Sequence, residues 1–254
     1  MSTTAASAPA APSAPGELTR VWNVVRLHLV NRWNYIGLPW IILGCAFTIS
    51  LFVWIIIVGA AGANATEGTQ YSGAVSSIFI YMLVVAVQSI NLTFPFALGY
   101  SVTRRDFYLG TSLLFVLISA MNAAVLTVLS YLEDITGGWW VGGHMFTVVW
   151  VSDGPLLQRL FVFFALQLFF FFIGASIATV YMRWRITGMV VLWVALALVF
   201  VGLFALLVFT DSWSIVGDWF VAVGAVGAIA WSLVITVLAG LLGYFVLRGA
   251  TPKN

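Results

Sequence analysis

The chain has 254 residues, of which 63% are hydrophobic and 7% charged, with a net charge of +2 and a mean hydropathy of +1.10. A soluble domain carries about 25% charged residues, so this chain could not cover an apolar core with polar surface, which excludes a soluble enzyme, a nucleic-acid binder and a disordered chain. The single cysteine, Cys45, excludes an internal disulfide and a cysteine-based metal cluster.

Residues 2–16 contain only Ala, Ser, Thr, Pro and Gly. They offer no apolar face to bury, so 1–16 reads as a disordered cytoplasmic tail; without a basic start and an apolar stretch it is not a signal peptide. Over 17–36, Leu18, Val21, Trp22, Val25, Leu29 and Ile36 recur at helical spacing, with Arg20, Asn23 and Asn31 opposite. This predicts an amphipathic helix in the membrane interface with Trp22 and Trp33 as anchors; the alternative is a basic collar before the first span. His28 reads as a polar residue on the surface of that helix.

The region 37–248 holds six apolar stretches near or above the ~20 residues that span hydrocarbon. They lie at about Pro39–Ala60, Val75–Gly99, Phe107–Ser130, Leu160–Tyr181, Ile186–Phe209 and Phe220–Leu247. A short tail, 249–254, follows. The expected fold is therefore an all-α integral membrane protein: six transmembrane helices preceded by an amphipathic interfacial helix, both termini cytoplasmic. Charge sets that orientation. Arg20, Arg26, Arg32, Arg104, Arg105, Arg183, Arg185, Arg248 and Lys253 fall on one side, and only Arg159 on the other. Glu67, Glu133, Asp134, Asp153, Asp211 and Asp218 all fall on the outer side. The long outer link from Tyr131 to Arg159, rich in Gly and Trp, predicts a half-inserted hairpin or an interfacial cap.

Chemistry is mostly excluded. A phosphate loop needs a lysine that reaches the phosphates, and the only lysine is Lys253. No charged residue lies in the middle of a span, which argues against ion-coupled transport. His144 shares the outer link with Glu133, Asp134 and Asp153, but their spacing matches no metal-ligand pattern. Cofactors are expected to be none, and the chain is not expected to be an enzyme. Uncharged polarity remains inside the spans. Gln88 and Asn91, three apart on span two, with Asn122 and Gln167, either bond neighbouring helices or line a substrate pathway. Gly174/Ala178 and Ala239/Gly243 fit close helix approach.

Span two ends unusually. Pro95 removes a backbone donor near its end, and Thr103 and Asp106 have the spacing of a capping box that starts a new helix. The run Phe94-Pro95-Phe96-Ala97-Leu98-Gly99, followed by Ser101-Val102-Thr103-Arg104-Arg105-Asp106-Phe107, resembles the span-two to span-three junction of bacterial ABC-2-type transporter permeases. The Arg183–Met189 turn resembles their short inner turn. A departure is the short link Thr210–Trp219, where better-studied exporters of this fold carry their elaborated outer loop.

The resemblance implies the membrane subunit of an ATP-driven exporter in a bacterial plasma membrane. Two permease chains, as a homodimer, would pair with a separate ABC ATPase subunit that uses the ATP. Val102, Thr103, Arg104, Arg105, Asp106 and Phe107 would form the coupling element, and the cavity would lie between the permeases among membrane lipid. A membrane scaffold or assembly protein without transport activity is the alternative.

Overall fold

A backbone in hydrocarbon must satisfy its own polar groups, and the apolar runs of this chain do so as helices. The computed structural model describes residues 16–62, 70–148 and 151–249. The expectations for the tail before Gly16, for Glu67 and for Lys253 lie outside the described residues. The helices are α1 (Glu17–Leu29), α2 (Leu38–Ala61), α3 (Ser76–Asn91), α4 (Thr93–Gly99), α5 (Arg104–Ile135), α6 (Leu156–Phe209) and α7 (Trp213–Arg248). A π-type stretch, Trp33–Gly37, leads into α2. Among the described residues there is no strand, only a single bridge between Tyr71 and His144.

Five helical segments are long and apolar enough to cross a membrane: Trp33–Ala61, Gly73–Gly99, Arg104–Ile135, Leu156–Phe209 and Trp213–Arg248. The fourth has 54 residues. A straight helix of that length would extend about 81 Å, more than twice a ~30 Å hydrocarbon core. It is not straight. Arg185 has φ 55° and ψ −143°, outside helical space, in a region that costs a non-glycine residue about 1–3 kcal/mol. The contacts on either side show what the break does. Ser176 Oγ donates to the Ala239 carbonyl, Gly240 lies against Phe172, and Gly249 against Arg183. Residues 172–183 thus run alongside 239–249 in the same direction. Yet α7 starts one short turn after α6 ends, with Trp213 edge-on to Phe204 at 5.6 Å. Both relations require the chain to reverse at Arg185, within the expected turn 183–185.

α7 is broken as well. Gly224 has φ 69° and ψ 170°, a backbone open to glycine. The link between the last two apolar runs is therefore longer than Thr210–Trp219: residues 213–223 form a separate helical piece before the break.

The first half of α6 is the centre of the bundle. Phe163 and Phe171 are buried, and Phe115 of α5 stacks on Phe171 at 4.5 Å. At Gly174 a Cβ would stand 2.5 Å from the Leu83 carbonyl, so α3 and α6 meet where the small-residue spacing placed a close approach. Residues 186–209 are exposed almost all round with apolar side chains, as a lipid-facing helix must be.

Residues 136–148 fold over one end of the bundle. Glu133 is fully buried. Its carboxylate accepts from the backbone N–H of Met145 (2.8 Å), Phe146 (3.1 Å) and Thr147 (2.7 Å) and from Trp139 Nε1 (2.8 Å). Arg159 closes the cap through Asp134 at 2.6 Å and the Tyr131 ring at 4.4 Å. Trp139 and Trp140 both have positive φ. Gly143 is obligatory, since a Cβ there would come within 2.2 Å of the Trp54 ring. Among the described residues no group of three His, Cys, Asp or Glu side chains could hold a metal ion.

Candidate functional site at the arginine-rich end

The opposite end of the bundle carries the residues singled out from sequence. α3 stops at Asn91, and α4, containing Pro95, continues at a bend to Gly99. Tyr100 and Ser101 follow as an exposed turn, Ser101 with φ 60°. Thr103 then caps α5, its hydroxyl accepting from Asp106 N at 3.1 Å, so half of the expected capping box is formed. Asp106 adds favourable charge in the first turn of that helix.

The charged residues of the turn are tied to other elements. Arg20 Nε of α1 donates to Asp106 Oδ2 at 3.0 Å, and the Asp106 side chain is 5% exposed. Arg105 pairs with Glu17 at the start of α1. Arg104 Nη1 donates to the carbonyl of Arg248 at 2.8 Å, at the end of α7. One short turn therefore fastens α1, α5 and α7. Of the six residues expected to meet a partner, Thr103 and Arg105 are exposed and Val102 and Arg104 half-buried. Asp106 faces Arg20, and Phe107 lies in the core against His28 at 5.7 Å and Phe94 at 5.2 Å. Phe107 is apolar and one turn into α5, so it belongs to the helix's packed face. Tyr100 and Ser101, which sequence reasoning left out, are the most protruding part of the turn; the signal for them was an aromatic directly after the helix-ending Gly99.

α1 packs on α5 along Val21, Val24, Val25 and His28 at i, i+3, i+4 and i+7. Gly110 makes this approach feasible, since a Cβ there would be 2.5 Å from Val24 Cβ. The expected apolar face is divided between the bundle and the exterior. Val25 is buried, but Leu18 and Trp22 remain exposed, and His28 is buried rather than at the surface. His28 Nε2 contacts Thr111 Oγ1 at 2.9 Å and Nδ1 contacts the Tyr35 hydroxyl at 3.0 Å. Tyr35 continues to Ser89 at 2.7 Å, and the Ser89 and Thr111 hydroxyls also reach the Val85 and Phe107 carbonyls. These five contacts need five hydrogens. A neutral imidazole with three hydroxyls supplies four, an imidazolium five. Burial nevertheless lowers the His28 pKa to about 4, so the ring is neutral at pH 7 and the network holds one contact too many for its protons.

This network forms one wall of a cavity of about 400 Å³ lined by His28, Asn31, Asn34, Tyr35, Gln88 and Ser89, with Leu92, Thr93 and Phe96 at its edge. Gln88 Oε1 accepts from Asn34 Nδ2 at 3.0 Å, and Tyr81 donates to Asn34 Oδ1 at 3.0 Å. Gln88 thus lines a cavity. Asn91 does not line it, and its buried Oδ1 has no hydrogen-bond partner among the described residues. Asn122 and Gln167 are fully buried, and their side-chain amides have no hydrogen-bond partner among the described residues. Phe115 opposite Phe171, and Ser130 bonded to Arg159, put them level on antiparallel helices, yet the expected interhelical bonds are not made.

The chain matches no known protein family, curated protein or solved structure.

Proposed function

We propose that the chain is the membrane-spanning permease subunit of an ATP-driven exporter of the ABC-2 type in a bacterial plasma membrane. It works as a homodimer and is driven by a separate ABC ATPase subunit; the chain itself hydrolyses no ATP. It crosses the membrane six times, α6 contributing two crossings on either side of Arg185 and α7 one after Gly224. Both termini and the turn at Tyr100–Thr103 are cytoplasmic, and α1 lies along the interface with Leu18 and Trp22 toward lipid.

One observation carries this reading. The exposed turn between a Pro-bent helix and a capped one is fastened to α1 through Arg20 and Glu17 and to α7 through the Arg248 carbonyl. A displacement imposed there by a partner would move three elements together, which a coupling element must do. The cavity around Gln88 and Asn34 borders the same elements and is the start of the substrate pathway, with Asn91 outside it. The absence of a phosphate-loop lysine in the sequence is consistent with force entering from another chain.

The test is co-purification of the full chain with candidate ATPase subunits, followed by reconstitution in vesicles. The expected result is a stable complex whose ATPase rate rises with an exported compound. A chain that binds no ATPase and changes no ATPase rate is a scaffold, and the proposal falls.

A further inference from the structure

Arg104, Arg105 and Arg248 come from two separate segments, yet with Tyr244 they line one cavity of about 480 Å³. Among the described residues no carboxylate lines it. Of the nearby acids, Asp106 is taken by Arg20, and Glu17 pairs with Arg105 without lining the cavity itself. Arg104 spends one N–H on the Arg248 carbonyl, leaving four of its donors. The Arg248 guanidinium has no hydrogen bond or ion pair among the described residues. With Arg105 alone paired, to Glu17, the three guanidiniums keep an excess of two positive charges, repel one another and favour an anion between them.

Tyr244 also lines a second space, a groove of about 530 Å³ between α5, α6 and α7, walled by Tyr108, Leu109, Phe172, Val237 and Leu241. The Tyr108 hydroxyl, the obvious polar group there, is bonded to the Gly240 carbonyl at 2.5 Å. The groove is therefore apolar and opens on the lipid-facing side, where Val237 and Leu241 are exposed. From Arg248 to Val237 the helix advances about 17 Å, close to the ~15 Å of one leaflet of a ~30 Å core. The positive-inside tendency accounts for arginines at this end. It does not account for their joining, through Tyr244, a groove one acyl chain deep.

We propose that this seam is a binding site for an anionic phospholipid, with its phosphate among Arg104, Arg105 and Arg248 and one acyl chain along Leu241 and Val237. A soluble phosphate would use the arginines alone; the continuous groove assigns the site to a lipid. The site requires only that the chain be embedded in a membrane and does not depend on transport.

The test uses the purified full chain in detergent, titrated with phosphatidylglycerol and with phosphatidylcholine of the same acyl chains, with bound lipid counted by native mass spectrometry. Phosphatidylglycerol should bind at least about tenfold more tightly, and Arg248→Gln should weaken it about fivefold while leaving phosphatidylcholine unchanged. Leu241→Trp, which fills the groove from an exposed position, should weaken both lipids. Raising salt from about 50 to 500 mM should weaken only phosphatidylglycerol, a readout that needs no variant to fold. Equal binding of the two lipids, or an unchanged preference in Arg248→Gln or in high salt, overturns the proposal. Displacement of phosphatidylglycerol by glycerol phosphate at equal potency also overturns it, because the arginines would then hold a free phosphate.

Discussion

Replacing Glu133 by glutamine changes one atom and removes the keystone of the cap. The two carboxylate oxygens serve four donors: Oε2 takes Trp139 Nε1, Met145 N and Phe146 N, and Oε1 takes Thr147 N at 2.7 Å. The best glutamine rotamer keeps its oxygen in the Oε2 position and turns its NH2 toward the Thr147 N–H, donor against donor. That buried amide is left unpaired, at about 1–3 kcal/mol. The three surviving bonds lose charge assistance, which roughly doubles the strength of such bonds. The expected total is about 3–5 kcal/mol, in the range for breaking a buried polar network. Thermal unfolding in detergent, followed by tryptophan fluorescence, should show a lower midpoint for Glu133→Gln. Hydrogen exchange at Met145, Phe146 and Thr147 should accelerate while the α3–α6 contact at Gly174 stays protected. An unchanged midpoint with unchanged exchange at these three amides would refute the role assigned to Glu133.

Gly110→Val should release α1 from α5, because its Cβ would meet Val24 at 2.5 Å; limited trypsin digestion should then cut at Arg20 and Arg26 in the variant only. The His28 pKa is depressed to about 4 by burial, so the folded state refuses a proton that the unfolded chain accepts below about 6.5. Stability should be fully present above pH 6.5 and fall by about 3 kcal/mol as pH drops to 4, and His28→Gln should flatten that fall in unfolding curves taken at each pH. Asn122→Leu with Gln167→Leu removes buried amides that make no bond, so the double variant should unfold at the same or a higher temperature, and a marked loss of stability would show that the pair is bonded in the membrane. In a Cys45→Ala background, cysteines at Trp140, which is exposed on the cap, and at Ser212 should react with an impermeant thiol reagent in intact cells and one at Ser101 should not; the reverse pattern inverts the orientation.

Local rules carried far in this chain. Thr103 caps α5 as its spacing to Asp106 required, Gly174 marks the α3–α6 approach, and the turn at Arg183–Arg185 coincides with the backbone break. Each depends on residues within one or two turns, or on a single small side chain. The errors came from partners distant in sequence. His28 read as a surface residue because nothing near it reveals that Gly110 and Thr111, more than 80 positions on, offer a gap and a hydroxyl. That Val24 and Val25 pack inward on α5 while Leu18 and Trp22 stay exposed was hidden by the same contact, since all four look alike in a list of helical positions. The acids of the outer link were explained by topology, which hid that Glu133 turns inward to gather backbone N–H groups. In α7, Gly217, Gly224, Gly227, Gly240 and Gly243 are equivalent to a sequence reader, and only Gly224 bends the chain. For the candidate site, Gln88 and the turn at 100–106 were legible, whereas the ion pairs that fasten Arg105 and Asp106 to α1 were not, because α1 could have lain anywhere along the interface.

The most direct test of the central claim is a contact measured at the turn itself. In the Cys45→Ala background, Ser101→Cys would carry a short photo-activatable cross-linker, with Trp140→Cys at the cap as the control. In vesicles containing the chain and a candidate ABC ATPase subunit, the proposed coupling predicts that Ser101→Cys cross-links to the ATPase subunit and loses ATP-driven transport once cross-linked, while Trp140→Cys does neither. Cross-linking from Ser101→Cys at the level of the control, with transport intact, would contradict the account.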